Sequence, residues 1–452
     1  MSFSQALSGL NAQQSKLAVT GNNIANSQTV GFKGSNVQFA DVYAQQVGLG
    51  TRVSATLQDF TQGNIESSGR NLDLAIAGEG FFRFQLPNGD IGYSRNGQLN
   101  LTADGRLVNS QGAQIMGFPA EEGEVQAGGD VEPLTVPAGD LAASATNELD
   151  VSLNLDAGEE SLADENDNPP FAVYDNPNNE PPTGFNAAET AEAVASGLNP
   201  NQYSYSTNAT IYDSQGNARN MTMYFTKMGD NDWRVDARIS GGPDGAPNYG
   251  FANIAGENFK FTTNGQLVDA FEPFDLVIST DATNVATVSS VENGSTNNEF
   301  NDTILAKQTV KIDFAGTTQF ANQSTVNDIN QNGYTSGVLV GTTIEEDGTV
   351  MMNYSNEQSR AAGQIAMVSF RNPEGLNPSG DNLWSATASS GPELVGAPGT
   401  GQRGLIQASA IETSNVDMAR ELVDMIVAQR AYQANSQTIS TQDELLQTII
   451  NI

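Results

Sequence analysis

The sequence predicts a multidomain, mainly β protein, with antiparallel β-domains in the middle and long α-helices at both termini that pair as a coiled coil. Three observations predict it. Apolar residues recur every seven positions at each end, Asn-Gly and Asp-Gly pairs punctuate the interior, and period-two apolar alternation runs between those pairs.

At the amino end the recurring residues are Phe3, Leu10, Leu17 and Ile24, with Ala6 and Leu7 beside the first of them, the seam of an amphipathic helix that needs a partner. The far end repeats the spacing with Met418, Met425, Tyr432, Ile439 and Leu446, and Leu422, Ile426, Ile449 and Ile450 widen the stripe. Ser414 or Asn415 is placed to cap this second helix, and Asp417 and Glu421 fall in its first turns, where the helix dipole favours negative charge. Running to Asn451, it would be roughly 55 Å long at the usual rise per residue. Its centre, "QRAYQANSQTISTQ", is too polar for a strong dry seam, so the helix is marginal until packed. One such stripe by itself reads more readily as an ordinary core-facing helix. Two, at opposite ends, favour pairing with each other or with copies from neighbouring molecules.

Composition narrows the function classes. The 452 residues suffice for two to four domains, and 53 acidic against 19 basic residues give a net charge of −34. Such a surface repels phosphate backbones and anionic lipid, so neither nucleic acid nor a membrane is an expected partner. The absence of cysteine and histidine removes disulfides, thiol nucleophiles, the commonest general base and the commonest transition-metal ligands. A carboxylate-based hydrolase remains conceivable, but paired carboxylates carry little information in so acidic a chain. No catalytic residue, cofactor or metal is therefore assigned. No stretch approaches the ~20 apolar residues of a spanning helix, and the start lacks a basic region and apolar core of a secretory signal, implying a cytosolic chain or export without a cleaved signal.

In the interior, Asn88-Gly89, Asn96-Gly97, Asp104-Gly105, Asn264-Gly265, Asn332-Gly333 and Asp347-Gly348 are hairpin signals. Met221, Met223 and Phe225 lead through "TKMGDND" to Trp233, Val235, Ala237 and Ile239, a hairpin with one buried face. "GEGFFRF" is a strand entry shaped by Gly78 and Gly80, with Phe81, Phe82 and Phe84 supplying core. From Leu107 to Ala218 there is no lysine or arginine, and residues 156–184 read as a long solvated loop. Within it "DENDNPPF" (164–171) offers oxygen donors in the style of a calcium-binding adhesin linker. A hard cation wants six to eight oxygens, and neither flanking repeats nor further acidic motifs accompany the octet, which reads as a surface loop with calcium as the competing reading.

The two ends carry a resemblance. "ALSGLNAQQSKLAVTGNNIANSQTVGFKGSNVQFADVY" closely resembles the amino-terminal signature of the bacterial flagellar rod and hook proteins, and "ETSNVDMARELVDMIVAQRAYQANSQTISTQDELLQTIINI" its carboxy-terminal counterpart. The matching positions are Asn22, Asn23, Asn26, Gly31, Phe32 and Lys33 at one end, and Ser414, Asn415, Val416, Asp417, Gln429, Arg430 and Asn435 at the other. "ATIYDSQGNARNMTMYFTKMGDNDW" is similar to the outer domain of hook-type members, and segments from Thr317 to Asn356 and Gly363 to Gly391 also match them. Glu357 departs from the pattern, standing where a glycine commonly follows Tyr-Ser-Asn, and residues 157–200 carry no motif recognisable from the resemblance.

The resemblance implies a structural, non-enzymatic subunit of the extracellular hook, polymerising head-to-tail into a curved helical tube that acts as a universal joint between motor and filament. A distal rod-type role is the alternative within the family, and a calcium-dependent adhesin the one outside it. The implied partners are copies of the chain itself, the distal rod, the hook cap or scaffolding protein, the hook–filament junction protein and the export gate. The implied layout is a helical inner-tube domain (1–30, 411–452), an extended or β connector (31–70), an inner β-domain (71–147, 326–410) and an outer β-domain (148–325). Phe39 and Tyr43, in "FADVY", resemble an aromatic-spaced export-gate motif, with a packed strand or turn as the competing reading.

Overall fold

The computed structural model describes residues 3–44, 47–121, 123–126, 128–163, 198–240, 248–253, 259–268, 274–280, 286–291 and 308–450. Mainly β, with one long helix at each end, the chain divides into two compact units: Met1–Gly139 with Leu339–Ile452, and Asp140–Val338. The octet 164–171 and most of the loop expected at 156–184 lie outside the described residues.

The first unit opens with helix α1 (Phe3–Ala25) and closes with helix α2 (Met418–Ile450). After α1, within the segment expected as an extended or β connector, the chain makes a long antiparallel hairpin, strand Ser35–Ala44 against strand Val47–Gln58. The β-body that follows is woven from both halves of the chain. Phe118 pairs with Gln364, Phe82 with Met367 and Tyr93 with Trp384, so neither half closes a sheet alone. Its aromatic core sets Phe60, Phe81 and Trp384 edge to face, with Tyr93 against Phe370 at 4.8 Å. The expected strand entry is there: Phe81–Gln85 is a strand, and Phe81, Phe82 and Phe84 are buried.

In the second unit strand Glu148–Asp156 pairs antiparallel with Thr325–Gln331 but parallel with Gln308–Asp313 and Thr318–Phe320. The expectation of purely antiparallel β-domains is corrected here. Parallel partners need a long crossover, and the meander between these strands supplies it. The same pairing carries Thr325–Gln331 into this unit, which spans Asp140–Val338. The expected hairpin is present, Met221 opposite Ile239 and Phe225 opposite Val235, and its inward residues join Leu149, Val151 and Phe314 in the core.

Two turn readings needed tertiary context. Of the Asn-Gly and Asp-Gly signals, Gly97 and Gly333 are not in left-handed turns. A Cβ on Gly97 would sit 2.3 Å from the Leu74 carbonyl oxygen and one on Gly333 at 2.3 Å from Thr146 Oγ1, so close approach requires these glycines. Conversely Glu357, in the turn between strands Thr349–Tyr354 and Ser359–Ile365, has φ 63°, where an L side chain is strained and glycine is not. Glu357→Gly is expected to stabilise the first unit by about 0.5–1 kcal/mol, the relieved strain less the added freedom of the unfolded chain. Denaturant titration checks this; an unchanged or lower midpoint refutes it.

Candidate assembly interface

Helices α1 and α2 lie side by side and antiparallel: Lys16 pairs with Asp424 at 3.6 Å, Asn23 Nδ2 donates to Glu421 Oε1 at 3.0 Å, and Gly9 faces Asn435. A Cβ on Gly9 would lie 2.9 Å from Asn435 Nδ2, so the helices approach over a small residue. Small and polar side chains fill the contact. Ala6, Ala12, Thr20 and Asn23 are buried on α1, and Ala428 on α2.

The large seam residues stand differently. Leu10, Leu17, Ile24, Met425, Tyr432 and Ile439 are half-buried, while Met418 and Leu422 are exposed. The side chains of Phe3 and Leu446 lie outside the described residues. Beside Leu422, the face of α2 carrying Val423, Ile426 and Val427 is 51–61% exposed. Val423 and Val427 escaped the heptad reading, although their four-residue spacing beside Leu422 and Ile426 was the available signal. A single chain therefore leaves an apolar stripe of α2 uncovered, on a protein otherwise strongly charged.

The helices join the β-body through a polar junction built from signature residues. Asn26 Nδ2 donates to the Asn22 carbonyl at 3.0 Å and closes the last turn of α1. Gly31 has φ 71° and donates its N–H to the Glu412 carbonyl at 2.8 Å; a Cβ there would meet the Asn96 nitrogen at 2.6 Å. Phe32 is half-buried. Asn23 clasps Ser35 in both directions, donating to its carbonyl at 2.9 Å and accepting from its N–H at 3.0 Å. Asn415 accepts from Gly34 N–H at 2.9 Å and donates to the Asp59 carbonyl at 2.8 Å.

Asn415 is thus occupied and does not cap α2, nor does Ser414, whose hydroxyl accepts from Val416 N–H at 3.3 Å. The cap is Asp417, whose Oδ1 accepts from the N–H groups of Ala419 (2.9 Å) and Arg420 (3.2 Å). Gln429 and Arg430 are exposed on α2.

At the centre of the junction is a buried ionic cluster that the sequence analysis did not single out beyond Lys33. Lys33 Nζ donates to Glu412 Oε1 at 2.7 Å and to the Thr61 carbonyl at 2.6 Å, and Gly63 N–H donates to the same carboxylate oxygen at 2.9 Å. Arg95 faces the other oxygen at 3.7 Å. The Lys33 and Glu412 side chains are wholly buried and that of Arg95 is 3% exposed. Burial, reinforced by the Arg95 charge, lowers the Lys33 amine below its ordinary value against the pull of Glu412. Glu412 stands 379 residues from Lys33, beyond any local pattern.

Phe39 and Tyr43 lie on the hairpin strand Ser35–Ala44, both exposed, Tyr43 at 68%. The strand part of the competing reading holds, and the packing part does not. The hairpin rests on α1, where Ser8 Oγ accepts from Thr51 N–H at 3.2 Å. Among the described residues no group of three or more acidic side chains is arranged to hold a metal ion, and no helix is long and apolar enough to cross a membrane.

Comparison with known proteins matches four family profiles: "Flagella basal body rod protein" over residues 4–33, "Flagellar hook protein FlgE/F/G D1 domain" over 75–154, "Flagellar basal body protein FlaE D2 domain" over 183–334, and "Flagellar basal body rod FlgEFG protein C-terminal" over 407–452. The chain is 40% identical over 458 residues to the flagellar hook protein FlgE of Escherichia coli K12, covering 100% of both chains. It is likewise 40% identical to that of Salmonella typhimurium LT2 over 459 residues, with 100% of both covered. The counterpart from Borreliella burgdorferi is 31% identical over 477 residues, covering 100% of this chain and 99% of its own. A Helicobacter pylori flagellar hook protein FlgE2 crystal structure aligns with a TM-score of 0.49 at 14% identity, over 77% of this chain and 100% of that one, too loosely to carry an argument.

Proposed function

Because the chain belongs to the flagellar hook protein family, we propose that its terminal helices are the elements through which copies assemble, the exposed face of α2 being the surface that one copy presents to the next. It is a structural, non-enzymatic axial subunit of the extracellular flagellar hook, which self-assembles into a helical polymer and takes part in torque transmission.

The observation that supports this mode of assembly is the uncovered stripe of Met418, Leu422, Val423, Ile426 and Val427. Small residues bury too little area for the α1–α2 pair to be strongly stable alone. Neighbouring copies would cover the stripe, complete a coiled-coil seam from Phe3, Leu10, Leu17, Ile24, Met425, Tyr432, Ile439 and Leu446, and order the helices as they do so. Contacts are head-to-tail, a heterologous arrangement that does not close and so builds a tube. The helices form its inner wall, the woven β-body an inner β-domain and the acidic unit 140–338 an outer one. Like-charged outer surfaces gain little by fixing one register, which suits a tube that bends as it rotates. The finer partners are the distal rod, the hook cap, the hook–filament junction protein and the export gate, with Phe39 and Tyr43 presented to the last of these.

Limited proteolysis with mass readout, on monomer and on polymer, tests this reading. Both terminal helices are expected to be cut in the monomer, leaving at the smallest a core of roughly residues 71–408, and to be spared in the polymer. Helices already resistant in the monomer would mean that the pair is stable by itself, and assembly through them would fail as an explanation.

A further inference from the structure

We propose that the buried Lys33–Glu412–Arg95 cluster is the joint that transmits force between the terminal helices and the β-body when the tube carries torque. The inference rests on the hook assignment and goes beyond it by placing the mechanical coupling in named side chains.

The chain crosses between helices and body only twice, through residues 26–34 leaving α1 and 413–417 entering α2. Within one chain, torque passing between helices and body runs through these two crossings and through the hairpin that rests on α1. Left separate, each would twist as a single strand of backbone. The structure ties them together. Gly31 bonds the Glu412 carbonyl, Gly34 bonds the Asn415 side chain, and Lys33 reaches 2.7 Å to the Glu412 carboxylate. Glu412 is also anchored to the body, because its strand (Ala410–Glu412) pairs with Ile65–Ser67, Gly63 N–H bonds its Oε1, and Arg95 faces its Oε2. Arg95 is itself held by a bond from Nη2 to the Gly78 carbonyl at 2.9 Å.

Charged groups at this place are not explained by stability. A buried ion pair is often no more stabilising than apolar residues of the same volume. Apolar contacts are non-directional and slide under shear, whereas charge-assisted hydrogen bonds weaken steeply with misalignment and so hold one geometry. The asymmetry of Glu412 fits this role. One oxygen is saturated by Lys33 and Gly63, while the other faces Arg95 at 3.7 Å without a hydrogen bond. Arg95 can therefore shift slightly against Glu412 while the bonds that clamp the two crossings stay in place.

The test measures torsional compliance of hooks on tethered, rotating cells, for wild type, Glu412→Gln, Lys33→Met and the double variant. Arg106→Ala, which breaks the exposed Arg106–Asp104 pair, serves as control. The single variants are expected to assemble hooks that are more compliant, by up to about two-fold, since the crossings then keep only the Gly31 and Gly34 bonds between them, and the double variant to be no softer than either. The control should match wild type. Assembled hooks of unchanged compliance overturn the proposal. If a pure variant does not assemble, hooks co-assembled with wild-type chain give the reading: compliance rising with variant fraction supports the joint, and a flat response overturns it. Failure of the wild-type chain to form hooks would instead overturn the hook assignment, a result distinguishable from either.

Discussion

Val423→Asp and Ile426→Asp are expected to abolish polymerisation while leaving the monomer as stable as before. Both residues lie on the uncovered face of α2, 61% and 51% exposed, so a carboxylate there meets water in the single chain and changes its stability by no more than about 0.5 kcal/mol. In the proposed assembly the same position is buried between copies. The variant loses the ~1.5–3 kcal/mol gained by covering an aliphatic side chain and must also desolvate a charge. Each 1.4 kcal/mol is about tenfold in affinity, and the loss recurs at every subunit contact, so the concentration needed for assembly rises by orders of magnitude. Leu17→Asp and Ile439→Asp should also block assembly, but these half-buried positions loosen the intramolecular pair as well, and the β-units should stay folded in both. Sedimentation, electron microscopy and thermal melts read the three quantities. Tubes forming from Val423→Asp at wild-type concentrations would show that the face stays wet in the polymer.

Trp233→Ala is expected to unfold the second unit selectively. Trp233 is wholly buried in the core that includes Met223, Val235, Phe259 and Phe314, and among the described residues its indole nitrogen has no hydrogen-bond partner, so truncation chiefly costs packing, about 3–5 kcal/mol. That is a large share of the stability of an ordinary domain. The first unit has a separate core around Phe81, Tyr93, Phe370 and Trp384, and should keep its transition. Calorimetry should therefore show one early transition lost or lowered and one unchanged. A single transition moving as a whole would mean that the units unfold together.

Much of the fold was legible because its signals are local. Heptads at the ends, alternation from Met221 to Ile239 and the paired aromatics of "FFRF" each depend on neighbours a few residues away. Errors arose where a local signal had two physical causes. Asn-Gly marks a left-handed turn or a close approach, and only the Leu74 carbonyl above Gly97 decides between them. Ser414, Asn415 and Asp417 are all good caps by type, and Asp417 caps because the junction has already taken Asn415. The motif resemblance pointed to Lys33 without its partner, because a lysine and a glutamate at opposite ends carry no shared periodicity.

The element types, the long terminal helices, the hairpin of the second unit and the family follow from short-range pattern and from signature residues. Tertiary structure alone decided which distant segments meet. Strands from both halves weave one body, Glu148–Asp156 takes parallel as well as antiparallel partners, and Glu412 closes on Lys33 and Arg95. The physical reason is that hydrophobic pattern specifies a face to be buried but not the surface that buries it. That choice is made by shape and by hydrogen-bond satisfaction across the whole chain, as the small-residue contact between α1 and α2 and the apolar stripe it leaves open both illustrate.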